Sequence, residues 1–318
     1  MKYLKLTHTE FEVSVVCLGA GPYGTSVSKE QAFAQMDAFF DQGGNFIDTA
    51  HVYGDWGSGE KALSEKIIGE WMDNRGCRND LVISTKGGHP LLATMDISRV
   101  NVDELEIDLQ GSLESLRTDI IDIYFLHRDN PQLPVADVIE WLELQKIKGK
   151  LRHYGCSNWS LQRMVDAQQY ASSKGYDGFI CNQIQDSLAD SDHALTDRMQ
   201  MVVADKSFDL YHRQSGMNLM AYMAVAHGYF YKKEANIPLP AMVKELYDLP
   251  QNVKMLEVMK TMKPYSVNDF NYQYILQRPY SSIPITAFTK IEQMRDAIEC
   301  CCKDLPLEMI EMVSAYKL

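Results

Sequence analysis

Ile121-Asp122-Ile123-Tyr124-Phe125-Leu126 runs straight into His127. The run is β-branched and aromatic, long enough for one buried strand, and it ends on a residue able to bond or carry a proton. Four other stretches share this form. Asn45-Phe46-Ile47 leads into Asp48, and Leu81-Val82-Ile83-Ser84-Thr85 leads into Lys86. Arg152-His153-Tyr154-Gly155-Cys156 is followed by Ser157 and Asn158, and Phe179-Ile180-Cys181 by Asn182 and Gln183. Helical patterns lie between them. Val102, Leu105, Leu109, Leu113 and Leu116 repeat at helical spacing, Ser28 with Gln31 fits a capping box, and Pro134 and Gly149 bracket a further helix. Chemically able strand ends separated by helices are the layout of a parallel α/β barrel.

Carried along the chain, the pattern predicts a hairpin over 2–7 and 11–15 that plugs the bottom of the barrel. Further strands fall at 15–18, 178–182, 218–222 and 281–286, with Gly19-Ala20-Gly21-Pro22 turning at the end of the first. Helices are expected at 160–174, at 195–212, at 253–277 with a break at Pro264, and at 290–301 and 306–316. Residues 228–250 read as a loop, because they hold Pro238, Pro240 and Pro250. The expectation is one (β/α)8 TIM barrel over 1–318, with an N-terminal hairpin and extra C-terminal helices.

Composition narrows the function. An apolar content of 46% fills a large core, and a net charge of −12 without a basic stripe argues against nucleic acid or an anionic membrane as partner. No apolar run reaches the roughly 18 residues of a membrane span, and Met1-Lys2-Tyr3-Leu4-Lys5 lacks a signal peptide's apolar core, so a cytoplasmic location is expected. Cys300-Cys301-Cys302 cannot close on one metal ion from a single helix, since adjacent helical residues point about 100° apart. A partly buried helix is expected there, and no metal site.

Asp48, Tyr53, Lys86 and His127 should converge at the mouth of neighbouring strands. A tyrosine with an ordinary pKa near 10 is a poor acid at neutral pH, and a nearby ammonium favours the phenolate. Lys86 can lower Tyr53 in that way, Asp48 can hold Lys86 by a charge-assisted hydrogen bond, and His127 can orient a carbonyl oxygen. These groups suit protonation of a carbonyl oxygen while hydride arrives at carbon. Taken singly, Asp48 also reads as a turn residue, and Tyr53 or His127 as structural.

Asn45-Phe46-Ile47-Asp48-Thr49-Ala50-His51-Val52-Tyr53-Gly54 resembles the signature of the aldo-keto reductase family. Ser84-Thr85-Lys86, Tyr124-Phe125-Leu126-His127 and Gly155-Cys156-Ser157-Asn158 are similar to its next three motifs, in order. The similarity is strong over 1–185 and weaker beyond. It implies a barrel that binds NADP(H) or NAD(H) across the strand C-termini, with Tyr53 as acid, Asp48 and Lys86 as its tuning pair and His127 as orienting donor. It also implies that Ser157, Asn158 and Gln183 hold the nicotinamide carboxamide and that Tyr222 stacks on its ring. Gly19, Ala20, Met223 and Val225 would line the cofactor by backbone, and Lys290 and Gln293 would meet the adenosine end, with NADP(H) favoured. His51, Trp56, His89 and Trp159, with Asp129, would rim the substrate pocket.

Two departures stand out. Where the family has Ser-Pro-Leu after the stacking aromatic, this chain has Met223-Ala224-Val225, and Gln293 falls near the position of a phosphate-binding arginine. The substrate expected is a small carbonyl compound or alcohol: an aldehyde, ketone or sugar. Two competing readings remain, a non-catalytic cofactor-binding sensor and an aldolase or lyase forming a Schiff base on Lys86.

Overall fold

Tyr3–Lys5 (β1) and Glu12–Ser14 (β2) pair antiparallel, with Tyr3 opposite Ser14. The hairpin buries Leu6 and Val13 against the barrel interior. Two asparagines fix it there. Asn218 accepts from the Thr7 amide at 2.8 Å, and Asn45 accepts from the Ser14 amide at 2.7 Å. Both lie at the N-terminal ends of barrel strands, so the hairpin closes that end and leaves the opposite end uncovered by it.

The protein is described here from a computed structural model that covers residues 1–57 and 59–317. Eight parallel strands close into a barrel. They are Cys17–Gly19 (β3), Phe46–Asp48 (β4), Val82–Gly87 (β5), Ile121–Leu126 (β6), Leu151–Ser157 (β7), Cys181–Gln185 (β8), Asn218–Tyr222 (β9) and Ser282–Thr286 (β10). Closure comes from β10 pairing with β3, Ile285 opposite Cys17. Side chains from Cys17, Phe46, Val82, Phe125, Met220 and Ile283 fill the interior. Helices cover the outside, so both faces of most strands are dry and the sequence reads as continuous apolar runs.

The outer layer follows the expected alternation. Lys29–Asp41 (α1) starts on the Ser28–Gln31 capping box, and Leu63–Arg75 (α2) and Val102–Leu116 (α3) come next. Val135–Ile147 (α4) and Leu161–Lys174 (α5) complete the first half. The expected helix over 195–212 is two, His193–Arg198 (α6) and Lys206–Ser215 (α7). Asp192 and Asp205 each cap a helix start through the side chain, and the second cap breaks the run.

Residues 228–250 are not a loop. They hold Tyr229–Glu234 (α8) and Ala241–Tyr247 (α9), and Pro240 and Pro250 stand at helix starts rather than interrupting helices. Tyr229, Phe230, Val243 and Leu246 bury themselves in a satellite core with residues of Pro250–Lys260 (α10), Val267–Leu276 (α11) and Leu307–Ser314 (α13, below). The break expected at Pro264 separates α10 from α11, and Ser266 with Asp269 restarts the helix as a capping box. Ile291–Cys302 (α12) and Leu307–Ser314 (α13) end the chain's regular structure. Cys300 and Cys301 are buried on α12, and Gln273 donates to both of their carbonyls.

Candidate active site

Strand register assembles the mouth. Asp48 lies opposite Gly19 on one side and Ser84 on the other. Lys86 lies opposite Phe125, one residue pair before the end of β6 and His127. Ser157 faces Gln183, and Gln185 faces Tyr222. Residues far apart in sequence thereby share one rim.

At its centre is a buried ion pair. Lys86 and Asp48 are 1% and 2% exposed. The Lys86 ammonium donates to Asp48 Oδ2 at 2.6 Å and to the Thr49 carbonyl at 2.6 Å. Asp48 Oδ1 accepts from Ser84 Oγ at 2.7 Å and from Gln183 Nε2 at 3.0 Å. Such a pair holds only because the remaining lone pairs and protons are satisfied. Burial pushes Lys86 down, but Asp48 and Tyr53 outweigh it, and the lysine stays above its ordinary value as a fixed cation.

Tyr53 sits in the turn after β4. Its ring centroid is 4.9 Å from Lys86 Nζ and 5.8 Å, edge to face, from the His127 ring. Burial raises the Tyr53 pKa, Lys86 pulls it back, and the net shift is upward. The sequence expectation of a lowered phenol is thus corrected. Lys86 acts in the predicted direction, but Asp48 compensates its charge and desolvation prevails. Tyr53 is fully protonated at neutral pH, the form a proton donor must have.

His127 is buried and driven well below the usual histidine value, chiefly by burial and then by His89, Lys86 and Arg128. It is therefore a neutral ring at pH 7, and its Nδ1 has no partner among the described residues. His89 lies 4.7 Å away, with its own Nδ1 tied to the Pro90 carbonyl at 2.8 Å. The exposed Trp56 packs on Tyr53 at 5.9 Å.

Asn158 links the next part of the rim. Its amide donates to Ser157 Oγ at 3.0 Å, and its oxygen accepts from Tyr222 Oη at 2.6 Å and from the Val202 amide at 3.1 Å. Gly19 and Ala20 are buried at the end of β3, with the Ala20 amide on the Asp48 carbonyl at 2.8 Å. Past Tyr222 the backbone is left-handed at Met223 (φ 57°), Ala226 (φ 47°), His227 (φ 53°) and Gly228 (φ 74°). Left-handed non-glycine residues are costly and need surrounding support. Lys232 supplies some by donating to the His227 carbonyl. Val225 packs partly buried against the main core.

Four expected site residues are engaged in other contacts. Trp159 is wholly buried, with its indole on the Arg128 carbonyl at 3.1 Å and its ring on Phe179 at 5.1 Å. It precedes the Ser160 cap of α5, where an apolar side chain folds into the core instead of facing the rim. His51 turns outward to Glu65 at 3.0 Å, and a Cβ on Gly111 would lie only 2.7 Å from its Cε1. Burial lowers His51, but the Glu65 bond outweighs that and raises it. Its ring still borders a cavity of about 90 Å³ beside Lys86, His89 and Arg99. Asp129 is held by Arg163 through two bonds of 3.1 Å. At the start of α12, Gln293 Oε1 accepts from the Thr289 and Lys290 amides at 3.1 Å each, so it caps the helix.

Sequence reasoning passed over two groups. Ser84 is legible in hindsight, since it precedes Lys86 by two on one strand and shares its face. Arg128, directly after His127, is the other.

Fold and mouth together define a (β/α)8 barrel with a buried ion pair and a polar rim at the strand C-termini, the end where enzymes of this fold place their active sites. The chain belongs to the aldo/keto reductase family, an oxidoreductase family, whose model matches residues 15–317. It is 28% identical over 323 residues to an uncharacterised oxidoreductase of Bacillus subtilis, covering 99% of this chain and 95% of that one. It is 32% identical over 169 residues to an aryl-alcohol dehydrogenase [NADP(+)] of Phanerodontia chrysosporium, covering 50% of this chain and 42% of that one. In fold it is similar to an aldo-keto reductase of Bacillus halodurans in its holo form, with a TM-score of 0.77, 22% identity and coverage of 100% and 97%. No helix among the described residues is long and apolar enough to cross a membrane.

Proposed function

We propose that this chain transfers hydride between a nicotinamide cofactor and the carbonyl of an aldehyde, ketone or sugar, with Tyr53 as general acid. The observation that carries this reading is the Tyr53 phenol beside an ammonium clamped by Asp48 and Thr49, with a neutral His127 ring edge-on. As the carbonyl oxygen gains charge, Tyr53 gives it a proton, and the fixed Lys86 cation stabilises the phenolate left behind. His127 orients the same oxygen as a neutral N–H donor.

The donor set suits a nicotinamide. The Ser157 hydroxyl and the Asn158 and Gln183 amides offer both donors and acceptors to a carboxamide, and Tyr222 offers a flat ring beside them. Members of the family generally use NAD(P)H. When bound, that group supplies the hydride. Lys290 and Arg295 at the start of α12 favour NADP(H), as does the NADP(+) in the fungal relative's name. Gln293 contributes its free amide nitrogen there, its oxygen being engaged.

Titration with NADPH and, separately, NADH tests the cofactor half. Trp56 touches Tyr53 and Trp159 lies beneath the mouth, so their fluorescence reports on the site. Quenching at micromolar NADPH and weaker quenching by NADH is expected. No quenching by either sinks the proposal and turns attention to Lys86 as a Schiff-base former.

The pH profile tests the proton half. With Tyr53 raised and His127 lowered, kcat for reduction should be flat from roughly pH 7 to 9 and fall above about pH 10, where the phenol loses its proton. A loss centred inside that window would return Tyr53 to the lowered value predicted from sequence.

A further inference from the structure

Arg128 is the first residue beyond His127 at the mouth, and it is only partly buried. Its Nη1 donates to the Gln200 carbonyl at 3.0 Å. Its Nε is buried without a partner among the described residues. The guanidinium is close enough to the Tyr53 and Tyr222 hydroxyls to interact with both electrostatically. No carboxylate pairs with it among the described residues. The adjacent carboxylate, Asp129, is taken by Arg163 at 3.1 Å.

The other arginines give the contrast. Arg75, Arg78, Arg99, Arg117, Arg152, Arg163, Arg213 and Arg278 each have a carboxylate partner. Arg198 and Arg295 are exposed, where water serves instead. Arg128 alone, among the described residues, is a partly desolvated guanidinium without a counter-ion, and it stands beside the reacting groups. An uncompensated charge withdrawn from water is costly, so structures pair it or leave it for a ligand. The planar fork of arginine matches a carboxylate in two parallel bonds.

We propose that Arg128 binds an anionic group, a carboxylate, carried by the substrate a few bonds from the carbonyl held by Tyr53 and His127. This rests on the reading of Tyr53 and His127 as the carbonyl-holding groups. The preferred substrates are then carboxylate-bearing carbonyl compounds, and Arg128 is a specificity determinant. The cofactor's phosphates are the other source of an anion. Arg128 directly follows His127, whereas the carboxamide-type groups lie on β7 and β8, which favours the substrate.

The test compares benzaldehyde with ortho-, meta- and para-carboxybenzaldehyde, each with NADPH, for the wild type, Arg128→Leu and Arg128→Lys. At least one carboxy isomer should outperform benzaldehyde in wild-type kcat/KM. That preference should fall about tenfold to a hundredfold in Arg128→Leu, mainly through KM, and recover in part in Arg128→Lys. NADPH titration of Arg128→Leu should give the wild-type affinity. An unchanged carboxy-to-neutral ratio overturns the proposal. So does weakened NADPH binding with that ratio intact, which assigns the guanidinium to the cofactor.

Benzoate binding, followed by tryptophan fluorescence on the protein alone, needs no turnover. If wild type reduces none of the aldehydes, the reductase reading has failed by itself. Benzoate binding lost in Arg128→Leu then still supports the anion site, and equal binding, or none in the wild type, rejects it.

Discussion

Replacing Tyr53 with phenylalanine is expected to lower kcat for carbonyl reduction by roughly a hundredfold to ten-thousandfold, the usual worth of a positioned general acid. Only the hydroxyl is lost. The ring contacts with Trp56, His127 and the Lys86 ammonium depend on the ring face and edge, and they persist. NADPH should therefore quench the variant's fluorescence as it does the wild type's. Steady-state kinetics with benzaldehyde, beside that titration, separate the two effects. A variant that binds cofactor but turns over slowly supports Tyr53 as the acid. Full activity would remove Tyr53 from that role, and loss of both binding and turnover would make it a structural residue of the mouth.

Lys86→Met should cost both stability and rate. The substitution keeps much of the side chain's volume but removes the charge, leaving the Asp48 carboxylate with only the Ser84 and Gln183 bonds. Breaking a buried pair on one side typically destabilises by about 3–5 kcal/mol. Urea unfolding measures this directly. Asp48→Asn combined with Lys86→Met should recover part of the loss, because both charges are then gone. A single variant as stable as wild type would mean that the Lys86 ammonium contributes nothing to holding the buried carboxylate. Turnover should not recover in the double variant, since the cation that receives the developing phenolate is still missing.

Much of this was legible in sequence because a barrel strand buried on both faces is mostly apolar, so a charged or ionisable residue at its end stands out. Asp48, Lys86 and His127 follow apolar runs for that reason. Tyr53 follows no such run, and the aldo-keto reductase signature pointed to it. The helical content of 228–250 was hidden because prolines at helix starts look like prolines in loops until the packing partners are known. Tyr229, Phe230 and Leu246 find theirs on α10, α11 and α13. Trp159 failed for a related reason. It follows the rim residue Asn158 in sequence, yet the turn into α5 carries it beneath the rim.

The sequence by itself determined the alternation of strands and helices, and the order in which Asp48, Lys86, His127 and Ser157 follow the strands around one end of the barrel. These rest on local periodicity and on covalent neighbours. Tertiary structure alone decided the pairings. Gln183 meets Asp48 across 135 residues, so a residue expected at the carboxamide also braces the carboxylate that holds Lys86. Burial, which no local pattern reports, raises Tyr53 despite its ammonium neighbour. Arg163 takes Asp129, and Arg128 has no counter-ion among the described residues. Which buried charges are neutralised depends on distances in space, and strand register and barrel closure set those distances.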